Sequence, residues 1–447
     1  MPAIAREPLV RHDLLDRLGS SRQRTDDLFA IVNSDALYER PIAERHRIIF
    51  YIGHLEAFDW NLLRERAFGL KSFHPEFDRL FAFGIDPVGG GLPSDRPADW
   101  PAISQVKQYV EKIRGALDEK LSDAFDDPPP LNGGFPLPIL LNVAIEHRLM
   151  HAETLAYMLH QLPLNRKQHR AEPREVNVPP ISHRSMEIPS GRVTLGLPRA
   201  SEVFGWDNEY EEQAVEVPAF AIDRYMVTNR QFLEFIHAGG YETKLFWAEN
   251  DNDADWSWKQ KAGISHPAFW KPEGNRWLYR AMFAEVPLPL DWPVYVSQAE
   301  AKAYARWAGK SLPTEAEWQR AAYCTPSGEQ QSYPWGEQTP DAGLGNFDFS
   351  RWSPVAVNAF PRAVSALGVH GMLGNGWEWT STEFAPFPGF EPFSFYRGYS
   401  ADFFDGKHFV MKGGSARTST CMLRRSFRNW FQARYQYVYA GFRCVNR

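Results

Sequence analysis

The sequence predicts two domains of different class, an N-terminal helical bundle followed by a mixed α/β domain. Residues from about 10 to 160 carry apolar side chains at helical spacing, whereas the second half alternates short strand patterns with many turns. Between them, residues 165–180 are polar, charged and proline-bearing, which is typical of an interdomain linker. We therefore expect a bundle at residues 1–164, this linker, and a second domain at residues 181–447.

Four long helices are predicted in the first domain. Residues 11–32 are amphipathic, and residues 41–67 form a second candidate whose Pro41 stands at the helix start, where proline is tolerated. Residues 104–125 form a third, and residues 141–162 form a fourth after a breaker rich in proline and glycine. Four helices with one long crossover make a bundle, and bundles commonly build metal sites from inward-facing side chains.

The fourth helix carries two histidines, His147 and His151, whose spacing of four residues puts both on one face. Neutral imidazole is a common ligand for iron and zinc, and such a pair needs a third ligand from elsewhere. His54, in the second helix, is the natural candidate, and three histidines leave open positions for a substrate and dioxygen. The alternative interpretation is two ordinary helix histidines and a core histidine with one hydrogen bond. Glu153 could support a ligand by hydrogen bonding.

In the second domain we expect strands at residues 193–197, 215–228, 293–297 and 440–445. Two helices are expected among them. The first covers residues 298–309, and the second covers residues 314–323 and begins with a capping box formed by Thr314 and Glu317. The fold class is therefore a four-helix bundle joined to an irregular α/β domain.

Composition excludes several function classes. A net charge of −6 provides no basic surface for nucleic acid, and no apolar run approaches the length of a membrane span. The N-terminus lacks the apolar core of an export signal. Three scattered cysteines form neither a disulfide framework nor a zinc site, so a cytoplasmic location is the default expectation. We expect a monomer or a dimer without nucleic-acid or membrane partners.

Seven motifs follow one another in the second half between about Ser190 and Arg443: SGRVTLG, DRYMVTNRQFLEF, PVYVSQAEAKAYARWAGKSLPTEAEWQRAA, YPWG, GMLGNGWEWT, KGGS and AGFR. This series resembles the formylglycine-generating-enzyme (sulfatase-modifying-factor) fold, a C-type-lectin-like domain. The first half resembles a DinB-like bundle, whose members carry three histidines with the last two in an HxxxHxE pattern. Here these are His54, His147 and His151, followed by Glu153.

The two domains in this order resemble the ergothioneine-type sulfoxide synthases. The resemblance implies a non-haem iron(II) enzyme that uses dioxygen to join a sulfur donor to carbon 2 of the imidazole of hercynine, the trimethylated betaine of histidine. It covers nearly the whole chain and favours the three-histidine metal site over the structural interpretation.

The same resemblance implies roles for residues of the second half. Tyr396, in the segment YRGY, corresponds to a catalytic tyrosine that donates a proton or a hydrogen atom during oxidation. Tyr399 corresponds to a residue lining the hercynine pocket, and Asn429 and Trp430 match a segment that holds hercynine. An indole face suits a trimethylammonium, which has no N–H to donate. Without the resemblance, Tyr396 and Trp430 would be interpreted as structural aromatic residues.

Departures from the family pattern bear on the sulfur donor. Relatives that use cysteine or γ-glutamylcysteine carry arginines that bind the donor carboxylate. In this chain the corresponding stretch is residues 81–93, and no arginine stands between Arg79 and Arg96. Phe431 replaces a family acid, and Met150 replaces a glutamine before the third histidine. This pattern resembles the selenoneine synthases, which use a 1-seleno-sugar of the N-acetylglucosamine type. Asp86 could hydrogen-bond sugar hydroxyls or serve only as a turn residue.

The expected substrates are therefore hercynine, a selenosugar and dioxygen, with Fe(II) as cofactor. Three alternatives stay open: a sulfoxide synthase using cysteine or γ-glutamylcysteine, a DinB-type transferase with a zinc- or nickel-bound thiolate, and a lectin-like binding module with a structural metal. A closed structural zinc site requires a fourth protein ligand, typically cysteine, and the first 170 residues contain no cysteine. Cys421 lies outside any cysteine pair that could serve a copper-dependent formylglycine-generating activity.

Overall fold

The structure is a computed structural model that describes residues 7–82, 92–124, 135–171, 178–248 and 252–447. The chain divides into two compact units, Met1–Arg170 and Ala171–Arg447. Among the helices described, none has an apolar stretch long enough to cross a bilayer.

The first unit is a helical bundle in which α1 packs against α5, and α2 packs against both α4 and α5. In α4 the buried side chains recur every three or four residues, from Val106 through Tyr109 and Ile113 to Leu117, so one face of this helix supplies the core. The helices are α1 (Glu7–Phe29), α2 (Ile48–Leu63), α3 (Pro75–Leu80), α4 (Ile103–Ala124) and α5 (Leu137–Gln161).

The predicted start of the second helix at Pro41 is wrong, because α2 begins at Ile48. The backbone N–H of Ile48 donates to the carbonyl of Glu39, and that of Ile49 donates to Leu37. These two bonds satisfy the first free donors of the helix with carbonyls of the preceding turn, so the chain folds back and does not extend the helix towards Pro41.

The second unit contains five helices and twelve strands among its described residues, arranged as four small sheets. The largest has the strand order β10-β9-β8-β11, and a three-stranded sheet has the order β1-β4-β12. The remaining sheets are β5-β6-β7 and β2-β3. The strands are β1 (Ser185–Ile188), β2 (Gly191–Leu195), β3 (Gln213–Val217), β4 (Phe220–Asp223), β5 (Trp270–Glu273), β6 (Arg276–Arg280), β7 (Glu285–Pro287), β8 (Gly376–Glu383), β9 (His408–Gly414), β10 (Asn429–Gln432), β11 (Ala440–Gly441) and β12 (Val445–Asn446).

Two of the five helices of this unit were expected from the sequence. The capping box of α10 is confirmed: the Thr314 hydroxyl accepts from the backbone N–H of Glu317 at 3.1 Å, and the Glu317 carboxylate accepts from that of Thr314 at 2.7 Å. Trp318 of this helix is fully buried in a core that includes Val193 and Phe220. The helices are α6 (Asn229–His237), α7 (Lys244–Trp247), α8 (Ala254–Lys261), α9 (Gln298–Trp307) and α10 (Glu315–Tyr323).

The strand predicted at residues 293–297 is wrong, because this segment is extended but does not form a ladder with one partner. The N–H of Val294 donates to Val227, whereas that of Val296 donates to Ala440. The segment predicted at residues 215–228 forms β3 and β4 with a break between them, and residues 440–445 contain β11 and only the first residue of β12. Apolar alternation indicated the buried extended backbone but not its hydrogen-bond partners.

Candidate metal centre and aromatic cluster

Helices α2 and α5 bring the three predicted histidines together in the interior of the first unit. His54 comes from α2, and His147 and His151 come from successive turns of α5. The Nε2 atom of His151 lies 3.1 Å from that of His54 and 3.2 Å from that of His147. One ligand nitrogen from each histidine lies within 4.8 Å of the other two, and all three side chains are buried.

One hydrogen bond of this cluster determines where the imidazole proton of His54 lies. The Nδ1 of His54 is 2.7 Å from the carbonyl oxygen of Phe81, and because a carbonyl only accepts, neutral His54 carries its proton on Nδ1 and a lone pair on Nε2. The Nε2 of neutral His151 faces two nitrogens but can form one ordinary N–H···N bond at most. A cation among the three nitrogens would satisfy all of the lone pairs together.

Burial keeps these imidazoles in the neutral form that binds metals. Burial lowers the pKa of His54 to about 4, against the opposing effect of its hydrogen bond to Phe81. Burial also lowers the pKa of His147 and of His151 well below the ordinary value. Two nitrogens bound at right angles to one ion at about 2.1 Å are about 3 Å apart, which agrees with the two short separations. The donor set therefore fits a transition metal.

Aromatic rings and one glycine shape the walls of the cluster. Phe58 stacks on His147 with 3.4 Å between ring centroids, and Phe50 stacks on His54 at 4.8 Å. A Cβ atom at Gly53 would lie 2.5 Å from the Phe81 ring. The absence of a side chain at Gly53 thus lets Phe81 approach α2 closely, where its carbonyl oxygen accepts a hydrogen bond from the Nδ1–H of His54.

A buried charged network beside the histidines was not anticipated from the sequence. Arg148, which follows His147, donates to Glu56 at 2.9 Å and to Asp59 at 2.6 Å, and all three side chains are at most 2% exposed. Burial alone would raise the pKa of Glu56, but Arg148 and then Arg114 outweigh it and hold that pKa at about 2. Buried ion pairs could have been inferred from the sequence, because residues of opposite charge stand within otherwise apolar helices.

Two other residues predicted for the first unit, Met150 and Glu153, lie outside the histidine cluster. Met150 and Glu153 belong to α5 and are each partly exposed. Neither is part of the group of potential ligands that the structure brings together. Asp86 lies outside the described residues.

In the second unit, the two predicted tyrosines lie beside a pair of residues that the sequence did not indicate. The Trp206 ring stacks on Tyr399 with a centroid distance of 4.0 Å and meets Tyr396 edge-on at 6.4 Å. The Asp207 carboxylate accepts from the Ser400 hydroxyl at 2.6 Å. Burial, and secondarily the charge of Asp207, raises the pKa of Tyr396 to about 12. The phenol of Tyr396 therefore keeps its proton at neutral pH.

Trp430 belongs to the same aromatic cluster. Its ring stacks on Phe384 at 4.2 Å, meets Tyr399 edge-on at 5.4 Å and lies 5.7 Å from Phe403. Trp430 is partly exposed, and Phe384 covers one of its faces. Such a cluster offers the electron-rich ring faces that attract an organic cation.

The two neighbours of Trp430 in β10 make different contacts. The Asn429 side-chain oxygen accepts from the backbone N–H of Trp430 at 2.9 Å. Phe431 stacks on Tyr435 at 5.3 Å. Side chains alternate along a strand, so Asn429 and Phe431 emerge on the side of β10 opposite to Trp430.

Fold and site together define a class of protein, a helical bundle with a buried three-histidine centre followed by a lectin-like α/β domain. Family profiles agree with both halves. Residues 17–155 match the DinB superfamily, and residues 169–447 match the sulfatase-modifying factor enzyme 1-like domain.

Relatives match both halves together. The chain is 32% identical over 450 residues to the protein named hercynine oxygenase from Mycolicibacterium smegmatis, covering 97% of this chain and 99% of that protein. It is 35% identical over 381 residues to the protein of the same name from Mycolicibacterium thermoresistibile, covering 83% and 80%. Ergothioneine biosynthesis protein 1 of Neurospora crassa is 28% identical over 488 residues, covering 92% of this chain and 55% of that protein. The chain belongs to the ergothioneine-type sulfoxide synthase superfamily, whose members are metal-dependent oxygenases.

Proposed function

We propose that this protein is a non-haem iron(II) enzyme that uses dioxygen to form a C–Se bond between carbon 2 of the hercynine imidazole and a selenosugar of the 1-seleno-N-acetylglucosamine type, on the route to selenoneine. The observation that carries the metal-dependent part is the buried cluster of His54, His147 and His151 with its converging nitrogens. The relatives named hercynine oxygenase support the choice of hercynine.

Iron(II) is the metal that best agrees with an oxygenase and this donor set. Three neutral imidazoles would fill half of an octahedral sphere and leave positions for other ligands, whereas a closed structural zinc site is tetrahedral and usually holds cysteine. Bound iron(II) would supply the redox chemistry that activates dioxygen. Because His54 donates its Nδ1–H to Phe81, its Nε2 is already oriented as a ligand.

Hercynine recognition is assigned to the aromatic cluster around Trp430. A trimethylammonium is large, carries a full positive charge and donates no hydrogen bond, so ring faces bind it better than a single polar group does. Trp430 and Tyr399 would contact this cation. Asn429 emerges on the opposite side of β10, so its assignment to hydrogen-bond the substrate rests on the family resemblance alone. Tyr396, whose phenol is protonated at neutral pH, would deliver a proton or a hydrogen atom during the oxidation.

The donor assignment rests on the sequence. No arginine stands between Arg79 and Arg96, and Phe431 and Met150 occupy positions where donor-binding polar residues are expected. A donor with an amino-acid carboxylate would therefore lose its guanidinium partner, whereas a sugar would not need one. Asp86 is proposed to hydrogen-bond sugar hydroxyls. Replacing the C2–H and Se–H bonds by one C–Se bond removes two protons and two electrons, which would reduce one dioxygen to hydrogen peroxide. If one oxygen atom is instead transferred to selenium to form the selenoxide, the other leaves as water.

A cytoplasmic location is part of the proposal. The three cysteines are free in the structure, as expected in a compartment that keeps thiols reduced. Such a compartment would also keep a selenol donor in its reactive form.

Two alternative functions differ from this proposal in the donor that they use or in their need for dioxygen. A sulfoxide synthase would use the same iron and hercynine with cysteine or γ-glutamylcysteine as donor. A metal-thiolate transferase of the DinB type would need no dioxygen, and it would leave Asn429 and Trp430 without a function.

Competition among donors tests the proposal. Iron-loaded protein, hercynine and dioxygen are mixed with equal concentrations of the selenosugar, γ-glutamylcysteine and cysteine. The amount of each hercynine adduct is then quantified by mass spectrometry. The matching 1-thio-sugar, assayed alone, separates recognition of the sugar from recognition of selenium. We expect the selenosugar adduct to predominate. Predominance of a thiol adduct would assign the protein to the sulfoxide synthases, and adducts formed without dioxygen would favour the transferase.

A further inference from the structure

We propose that Arg148, together with Glu56 and Asp59, is a positioning device that fixes α2 against α5 at the level of the three histidines and thereby sets the affinity of the metal site. This inference requires that the histidines bind a metal, but it is independent of hercynine and of the chalcogen donor. The residues concerned contact one another and the histidine-bearing backbone, and they are not offered as metal ligands.

The contacts of Arg148 join the two helices that carry the ligands. Its guanidinium donates to the Leu55 carbonyl oxygen at 3.2 Å, and to the Glu56 and Asp59 carboxylates at 2.9 and 2.6 Å. Arg148 follows His147 directly in the chain, and Leu55 follows His54 directly. One side chain of α5 therefore holds about one turn of α2 at three points, next to ligands on both helices.

The remaining long helices are tied to the same network. Arg114 of α4 donates to Glu56 at 2.7 Å and to Asp26 of α1 at 2.7 and 2.8 Å. Arg148 also lies 3.4 Å from the hydroxyl of Thr25 in α1. The network thus reaches all four long helices of the bundle, and a planar guanidinium with several donors suits such a junction better than a single ammonium does.

The division of the ligands between the helices makes this junction important. Helix α5 supplies His147 and His151 as a rigid pair, but the third nitrogen, from His54, arrives on α2. A slip of α2 by one residue changes its height by about 1.5 Å, whereas metal–nitrogen bonds tolerate about 0.2 Å. Apolar side chains can repack after such a slip, whereas a fork of three directed hydrogen bonds is formed in one register only.

A purely stabilising role is a poor explanation for these charges. Buried ion pairs seldom stabilise a fold more than well-packed apolar residues of similar volume would, because removing charges from water costs free energy. Their best-attested use is to select one register of helices over others. Arg148, Glu56 and Asp59 are buried as completely as apolar core residues, so positioning is the role that fits their location.

The test removes the charges while keeping the shapes. A triple variant, Arg148→Met with Glu56→Gln and Asp59→Asn, is titrated with cobalt(II) alone, and the dissociation constant and the visible ligand-field spectrum are recorded beside the melting temperature. We expect a folded bundle with an altered spectrum and a cobalt dissociation constant raised about 10- to 100-fold. An unchanged constant and spectrum would overturn the proposal.

A matched control separates positioning from stability. Leu121→Ala truncates a buried residue of α4 that takes no part in the network, so it should lower the melting temperature and leave the cobalt constant unchanged. If the cobalt dissociation constant of Leu121→Ala rose as much as that of the triple variant, the positioning role of the network would be contradicted. If the triple variant does not fold, Arg148→Lys is tested in its place. One ammonium cannot reach all three acceptors, so we expect a cobalt dissociation constant higher than that of the wild type. A cobalt dissociation constant equal to that of the wild type would refute the proposal.

The outcome for the wild-type protein separates this inference from the proposed function. Wild-type protein that fails to bind cobalt would overturn both the metal site and its positioning. Wild-type protein that binds cobalt but shows no hercynine-dependent reaction as the iron form would refute the function and leave the positioning role intact.

Discussion

The Nδ1 atom of His54 lies 2.7 Å from the carbonyl oxygen of Phe81, and this one hydrogen bond determines the tautomer of a candidate ligand. It assigns the proton to Nδ1 and leaves Nε2 with a lone pair directed at His151, 3.1 Å away. A backbone acceptor behind a ligand histidine is a common means of fixing its orientation. The bond depends on the close approach of Phe81 to Gly53.

Gly53→Ala is predicted to weaken metal binding. The new Cβ would meet the Phe81 ring at 2.5 Å, so Phe81 must move and its carbonyl would no longer hold His54. The cobalt(II) dissociation constant should rise about tenfold or more. Gly115→Ala is the control, because a Cβ there has no neighbour within 4 Å; it should leave the constant unchanged and stabilise the helix slightly. Equal constants for the two variants would contradict the role of Phe81.

Tyr396→Phe is predicted to slow or divert C–Se bond formation while metal and hercynine binding stay intact. The substitution removes the phenol proton but keeps the ring that lies near Trp206. Rates and products of the iron-loaded variant should be compared with those of Tyr333→Phe, which alters a tyrosine stacked on Trp335 and should behave as wild type. Loss of iron binding in Tyr396→Phe would show that the tyrosine has another role.

Trp430→Leu is predicted to weaken the binding of hercynine more than that of histidine. Cation–π attraction to a trimethylammonium amounts to about 0.5–2 kcal/mol, or roughly 2- to 30-fold in the dissociation constant. Anaerobic calorimetry with both ligands measures the difference. Trp335→Leu removes an indole that stacks on Tyr333 and is the matched control. Equal losses for hercynine and histidine in Trp430→Leu would contradict recognition of the methylated ammonium.

Asp207→Asn is predicted to change how stability depends on pH. Burial raises the pKa of Asp207 from 3.8 to about 6, so between these values the folded protein binds more protons than the unfolded chain. Its contribution to stability is complete below about pH 4 and is lost as the pH rises through 6, by up to about 3 kcal/mol. The free energy of unfolding, measured with urea at pH 4.5 and at pH 7, should fall less between these two pH values in the variant than in the wild type. An unchanged difference would contradict the raised pKa.

The histidine pair and the helix that bears it were predictable, because both depend on local spacing. His147 and His151 share a face in any α-helix, and apolar periodicity identified α5 closely. His54 was assigned through the family resemblance and its place in a second helix, and the structure brings it to the pair. The substrate and donor assignments stay predictions.

Contacts between distant segments could not be predicted in this way. Ser400 donates to Asp207 across 193 residues, and no local pattern links a tryptophan–aspartate pair to a tyrosine-bearing loop so far along the chain. The network of Arg148 likewise requires the relative heights of four helices. Pro41 misled the prediction of α2, because carbonyls of the preceding turn, and not proline, determine where that helix starts.

Oxygen uptake by anaerobically iron-loaded protein tests the central claim most directly. Hercynine and the selenosugar are added together and separately to wild type, to His147→Ala and to His160→Ala, which truncates a buried histidine of the same helix outside the ligand cluster. We expect oxygen uptake that requires both substrates, persists in His160→Ala and is lost together with bound iron in His147→Ala. Uptake without hercynine, full uptake by His147→Ala, or no uptake by iron-loaded wild type would contradict the central claim.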